Sequence, residues 1–224
     1  MAIEAVVFDM DGVLIDSETV WHEVRAAFVR DHGGHWTEDD QKAVMGANSR
    51  EWSEHIRDAC GVALSAEEIY AGVVRALRAA LRERLPMYPA APEVVEALSA
   101  QYPLAVASSS PREIIEYVLD QAGLAGQFRA LVSSDEVERA KPQPDVYIEA
   151  CRRLGCRPPC SAAVEDSANG IRAAVNAGMA VVAIPNEAFP PPPEVVSSAR
   201  LSLGSLRELR PEMIAALNTE ECDA

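Results

Sequence analysis

Short apolar runs that stop abruptly on acids and hydroxyls recur along this chain, and that rhythm constrains its fold more than any other feature. Residues 3–8 read as a buried strand that ends on Asp9-Met10-Asp11-Gly12. Residues 104–107 run into Ser108-Ser109-Ser110-Pro111, and residues 162–164 into Glu165-Asp166-Ser167. Residues 180–184 give another strand, and Leu131-Val132 a weaker one. Helical periodicity falls between them, over 91–100, 112–122, 145–154 and 170–177. Short strands alternating with helices predict an α/β fold: a Rossmann-like parallel sheet with helices on both faces.

One stretch breaks the rhythm. From residue 17 to 85 there is no strand pattern, only helical spacing over 18–31, 37–44, 50–59 and 65–85. Ser65 with Glu68 three residues later is a capping box that starts the last of these. The expected organisation is therefore an α/β core of residues 1–16 and 86–224, interrupted by an all-helical insert of residues 17–85. Pro86 and Pro89 flank the return to the core. Pro190–Pro193 cannot be a helix interior or a central strand, and is expected to form a stiff surface connector.

Charge narrows the partners. The 224 residues carry a formal charge of −15. Nucleic acid and anionic membrane both require a basic surface, so neither is an expected partner. A site for a phosphorylated small molecule would have to make its positive field locally, from a metal, a few cations or backbone N–H groups. No apolar run of about eighteen residues could span a bilayer, and the start lacks a signal-peptide pattern, so a cytoplasmic location is the default expectation. The five cysteines are an odd count without the pattern of a secreted disulfide framework. Cys151, Cys156 and Cys160 lack a paired CxxC or a nearby His to complete a zinc site. A monomer is favoured, although nothing in the sequence fixes the oligomeric state.

In open α/β sheets, ligands bind beyond the carboxyl ends of the strands. Four polar clusters can converge there: Asp9 with Asp11, the Ser108–Ser110 run, Lys141-Pro142, and Glu165-Asp166. Asp9, Asp11, Glu165 and Asp166 together would crowd several negative charges unless a cation offsets them. Mg²⁺, a hard ion with oxygen ligands, suits such a site when it also takes a phosphate. The plainer alternative is that each acid is a helix cap or a turn former. Asp9 and Asp11, two apart at a strand end, can face one site and divide the work: one attacks phosphorus, the other handles the proton. Gly12 permits the tight path into the insert.

Ser110-Pro111-Arg112-Glu113 reads as a capping box with Pro at the first helical position. Ser108, with Ser109 and the free N–H groups nearby, would then bind phosphate. Of 20 basic residues only Lys42 and Lys141 are lysine. A lysine kept between Ala140 and Pro142 suggests a compact point charge, although neutral drift also leaves occasional lysines.

At these residues the chain resembles the haloacid dehalogenase superfamily over essentially its whole length. The four motifs are Asp9-Met10-Asp11-Gly12-Val13-Leu14, then Ser108, then Lys141-Pro142-Gln143-Pro144-Asp145, then Glu165-Asp166-Ser167-Ala168-Asn169-Gly170. The resemblance implies Asp9 as nucleophile and metal ligand, and Asp11 as general acid/base with its backbone carbonyl on Mg²⁺. It implies Ser108 and Lys141 on the phosphoryl oxygens, Glu165 and Asp166 completing the metal site, and the helical insert as a cap that closes over the substrate. Having Asp11 argues against the dehalogenase and phosphonate-cleaving branches.

The nearest branch looks like sugar-phosphate phosphatases and β-phosphoglucomutase. The mutases carry an early cap histidine, whose place is taken here by Trp21. His22 is one residue late, turned by about 100° on a helix, and is expected to be a packing or surface residue. Gly46-Ala47-Asn48-Ser49-Arg50 resembles a substrate-contacting cap loop in which Arg50 could pair with an anionic group. A plain surface arginine is the other reading. The expectation is a Mg²⁺-dependent phosphatase acting on a small phosphorylated metabolite through an aspartyl-phosphate. A phosphosugar mutase is the alternative, and a non-catalytic binding protein the third.

Overall fold

The computed structural model describes residues 2–186 and 189–217. Six strands form one parallel sheet: β1 (Ala5–Phe8), β2 (Leu104–Ser108), β3 (Phe128–Ser133), β4 (Ser161–Glu165), β5 (Ala180–Ala183) and β6 (Leu201–Ser202), in the order β3-β2-β1-β4-β5-β6. β6 is a two-residue edge strand that the apolar-run pattern misses, being too short to show alternation.

Strands buried on both faces read as continuous apolar runs, and β1, β2, β4 and β5 are buried throughout. Alternate residues nonetheless serve different layers. Val6, Phe8, Leu104, Val106 and Val164 pack toward one cluster; Val7, Ala105, Ala107, Ala163 and Val181 pack toward the other. The first layer includes α5 (Ala91–Ser99) and α6 (Arg112–Gln121), the second α7 (Asp145–Leu154) and α8 (Ala168–Asn176). Two short helices, α9 (Pro193–Val196) and α10 (Pro211–Ala215), follow.

Between β1 and α5 lie only helices: α1 (Glu18–Asp31), α2 (Glu38–Val44), α3 (Ser49–Asp58) and α4 (Ala66–Glu83). Three of them start on capping boxes, Thr37 with Asp40, Asn48 with Glu51, and Ser65 with Glu68. Each box satisfies N–H groups that a helix start would otherwise leave unpaired. Ile69, Val73, Leu77 and Leu81 repeat every four residues along α4 and are buried, so one stripe packs α4 into the block. The chain leaves and returns side by side: Asp16 N–H donates to the Pro86 carbonyl at 2.8 Å, and Tyr88 N–H to the Leu14 carbonyl at 3.0 Å.

No helix among the described residues is long and apolar enough to cross a membrane. Cys60, Cys151 and Cys156 are free thiols.

Candidate active site

The order β3-β2-β1-β4 places the switch point of the sheet beside β1, where the chain turns from building one side to building the other. That is where open α/β sheets leave a crevice. Because the strands are parallel and in register, with Phe8 beside Val106 and Val164, their ends emerge together. Asp9, Ser108 and Glu165 therefore emerge at one edge of the sheet although they are far apart in sequence. Lys141 joins from the loop between β3 and α7.

Lys141 is the hub. Its buried ammonium donates to Asp9 Oδ1 at 2.9 Å, Glu165 Oε1 at 2.7 Å and the Ala107 carbonyl at 3.1 Å. Its Nζ also lies 5.0 Å from the centroid of the Tyr147 ring. Tyr147, fully buried on α7, donates its hydroxyl to Glu165 Oε1 at 2.7 Å. The sequence pattern places Tyr147 on a helix but gives no sign of this contact.

Glu165 Oε2 accepts from the N–H groups of Asp166 and Ser167, at 3.0 and 3.2 Å, and from the Ser167 hydroxyl. Both oxygens of Glu165 are thus engaged by protein donors. Its geometry orients Lys141 and the Asp166–Ser167 turn, while one of its oxygens also lies within 4.8 Å of oxygens of Asp9 and Asp166. A Cβ on Gly170 would fall 1.7 Å from Glu165 Oε1, so the carboxylate occupies the space that glycine leaves.

Asp9 and Asp166 are different. Asp9 Oδ2 accepts no hydrogen bond among the described residues, and Asp166 Oδ1 is buried without a partner. Burial, with Glu165 and Asp11 nearby, pushes Asp9 from the usual carboxylate range up to about 8 despite Lys141. Burial and the charges of Glu165 and Asp9 push Asp166 well up too. Oxygens of Asp9, Glu165 and Asp166 come within 4.8 Å of one another. An orphaned buried carboxylate oxygen facing a second carboxylate fits a divalent cation. Gly12 completes the site: at φ +82° it turns the chain, and a Cβ there would sit 1.9 Å from Asp166 Oδ2.

Asp11 faces the helical block. Its Oδ1 accepts from the Ser17 hydroxyl and from Trp21 Nε1 at 3.4 Å. Its Oδ2 accepts from the hydroxyls of Ser108 at 3.1 Å and Ser110 at 2.8 Å. The expected Ser110 cap is therefore not formed. Pro111 is the N-cap of α6 without a side-chain bond, because the Ser110 hydroxyl is drawn to Asp11 instead. Ser17 likewise precedes α1 without capping it. Ser108 is fully buried, whereas Ser109 lines the cavity and donates its hydroxyl to the Gly46 carbonyl at 2.9 Å, joining sheet edge to insert.

Above these groups is a cavity of about 240 Å³. Asp9, Asp11, Lys141 and Asp166 line its floor, and Trp21, Trp52, Glu18, Arg25 and Lys42 its helical side. Arg50 is exposed at the start of α3 and is not part of this lining. Phe189 and the prolines 190–192 form a wall, so the proline run borders the cavity, and Pro193 opens α9; this corrects the simple connector expected from sequence. His22 accepts from Trp36 Nε1 at 3.4 Å, a packing contact within the insert.

Arg25, also missed, is buried with its guanidinium over Trp21 at 4.4 Å. Glu18, Trp21 and Arg25 are spaced i, i+3, i+7 and share one face of α1, a signal readable from sequence. A second set of ligand-type atoms, Asp40, His55 and Cys60, lies in the insert. Asp40 there already accepts from Thr37 and pairs with His55 at 2.8 Å, a self-contained brace.

Comparison with known proteins agrees with this geometry. A family model described as haloacid dehalogenase-like hydrolase matches residues 3–178. A phosphorylated carbohydrates phosphatase of Thermotoga maritima is 34% identical over 179 residues, covering 79% of this chain and 82% of that protein. Hexitol phosphatase B of Escherichia coli is 31% identical over 225 residues, covering 92% and 94%. The crystal structure of β-phosphoglucomutase from Clostridium difficile has the same fold, with a TM-score of 0.82 over 96% of each chain at 20% identity.

Proposed function

We propose, from the premise that this chain belongs to the haloacid dehalogenase-like hydrolase family, that it is a Mg²⁺-dependent phosphatase of small phosphorylated sugars or polyols. The carrying observation is the Lys141 hub, which holds Asp9 at a cavity floor beside the orphaned oxygen of Asp166. Phosphatases of sugar phosphates among the relatives support the substrate class.

Asp9, Asp166 and the backbone carbonyl of Asp11 would hold Mg²⁺. The ion, when bound, offsets the clustered carboxylates and draws charge from the transferring phosphoryl group. Lys141 fixes one oxygen of Asp9, leaving Oδ2 to attack phosphorus. The Oδ2–P bond forms as the ester O–P bond breaks, and the leaving alkoxide takes a proton from Asp11, releasing an alcohol. Asp11, now a carboxylate, takes a proton from water. The resulting hydroxide oxygen attacks phosphorus, the Asp9–phosphorus bond breaks, and inorganic phosphate leaves. For Asp11 to reach the leaving oxygen, one of its four donors must yield. The Trp21 contact at 3.4 Å is the longest and the weakest. Lys141 and Ser109, which both line the cavity, would bind the phosphoryl oxygens.

Trp21 stands where a mutase histidine would be needed, which favours water as the acceptor. The test is phosphate release from a panel of sugar and polyol phosphates with Mg²⁺, for the wild type and for Asp9→Asn. Turnover should be lost on the order of 10⁴-fold or more in the variant, as for removal of a covalent nucleophile. Near-normal release from Asp9→Asn would sink the nucleophile. Conversion of β-glucose 1-phosphate to glucose 6-phosphate without free phosphate would replace phosphatase by mutase.

A further inference from the structure

The insert carries a polar group that the phosphoryl chemistry leaves idle. Arg25 is only 5% exposed, yet it lines the cavity. Its guanidinium lies 4.4 Å from the Trp21 ring centroid and 5.5 Å from that of Trp52, which keeps it from swinging toward solvent. Its Nε is buried without a hydrogen-bond partner. Glu18, also lining the cavity, accepts on Oε1 from Gln41 Nε2. The other end of that amide, Gln41 Oε1, is buried without a partner as well. Glu18 and Arg25 attract one another but form no direct ion pair. Buried polar atoms left unsatisfied are costly, and two in one three-residue cluster need a reason.

We infer that Arg25 and Glu18 are a specificity subsite that reads hydroxyl groups of the substrate's carbon chain, Arg25 donating to a hydroxyl oxygen and Glu18 accepting from a hydroxyl hydrogen. The inference rests on the phosphatase reading, and names which part of the ester the insert recognises. Hydroxyls suit the pair better than a second anion. A carboxylate or phosphate drawn to Arg25 would be repelled by Glu18, whereas a hydroxyl is donor and acceptor at once and can serve both. Gln41 orients Glu18. The guanidinium stays charged at neutral pH, since burial lowers it only to about 10 with Glu18 opposing the shift.

The probe is a matched pair of esters: glucitol 6-phosphate, with five hydroxyls, and n-hexyl phosphate, with none. Both present a primary alkoxide leaving group. Arg25→Met keeps the packing volume and removes the donors. Its loss in kcat/KM on the polyol ester should exceed its loss on the hexyl ester by about tenfold or more, the discrimination expected where a site hydrogen-bonds a substrate hydroxyl. Arg25→Lys keeps the charge but loses the fork, and should show the same bias at smaller size. It also serves if Arg25→Met does not fold.

Equal losses on both esters would reduce Arg25 to a packing role and overturn the subsite. A larger loss on 6-phosphogluconate than on glucitol 6-phosphate would make it an anion reader, and also overturn the hydroxyl reading. Failure of the underlying phosphatase reading looks different: no ester, hexyl phosphate included, releases phosphate in an Asp9-dependent way.

Discussion

Two buried cations face one cavity from opposite sides, and they are treated in opposite ways. Lys141, on the sheet side, donates to Asp9, Glu165 and the Ala107 carbonyl. Arg25, on the helical side, has neighbours of suitable charge but makes no hydrogen bond to any described residue. On the proposed function and subsite, the difference is one of task. A group that positions a nucleophile must be fixed before substrate arrives, so its bonds go to the protein. A group that reads a substrate must keep donors available, so it is held by aromatic faces and left unbonded. The same contrast appears in the acids. Glu165 has both oxygens engaged, whereas Asp166 Oδ1 has no partner.

The contrast should break most visibly at Lys141. Lys141→Ala leaves Asp9 and Glu165 buried without their cation. It should lower kcat by about 10²–10³-fold, on the scale of losing one charge-stabilising donor, and destabilise the fold by ~3–5 kcal/mol. Thermal unfolding and steady-state kinetics measure both. If Arg25→Met costs the fold as much as Lys141→Ala does, the division between a braced core and an open subsite is wrong.

A smaller effect concerns the metal. Asp9 is raised from 3.8 to about 8 in the fold, chiefly by burial. A carboxyl raised on folding favours the fold below its unfolded value, and that contribution is lost as pH climbs toward about 8. Asp166 shifts in the same direction. A divalent cation offsets the ionised pair, so Mg²⁺ should raise Tm more at about pH 8 than at about pH 5.5. An equal shift at both would separate the metal from these carboxylates.

The smallest effect tests the helical side away from the cavity. Ser65→Ala removes a capping box at α4 and should cost about 1 kcal/mol, read by denaturant unfolding. Turnover should hold within about twofold, since Ser65 is remote from the cavity lining. A large kinetic effect would mean that α4 helps to set the cavity.

Much of this was legible in the chain. Residues 104–107 and 162–164 announce β2 and β4 by continuous apolar character, because strands covered on both faces have no polar side to show. The acids and hydroxyls after them mark the edge where the candidate site forms, because parallel strands end together. α7 runs over Asp145–Leu154 as its periodicity predicts.

Other features were hidden for a definite reason. Ser110 has the sequence of a helix cap, and only its nearness to Asp11, 99 positions away, redirects its hydroxyl. Tyr147 looks like one more apolar-face residue until α7 sets it against Glu165. The prolines 190–192 read as a connector until the fold lays them along the cavity.

By itself, then, the sequence determined the layers, the helical insert and the chemical kind of each group at the sheet edge, since periodicity and local capping are short-range properties. Which hydroxyl caps and which binds Asp11, which carboxylate is braced and which stands open, and which cation is left unbonded were decided only by tertiary structure. Those choices depend on donors and acceptors that folding brings together from separate elements, such as Asp11 with Ser110 99 positions away and Asp9 with Lys141 132 away, distances over which no local pattern carries information.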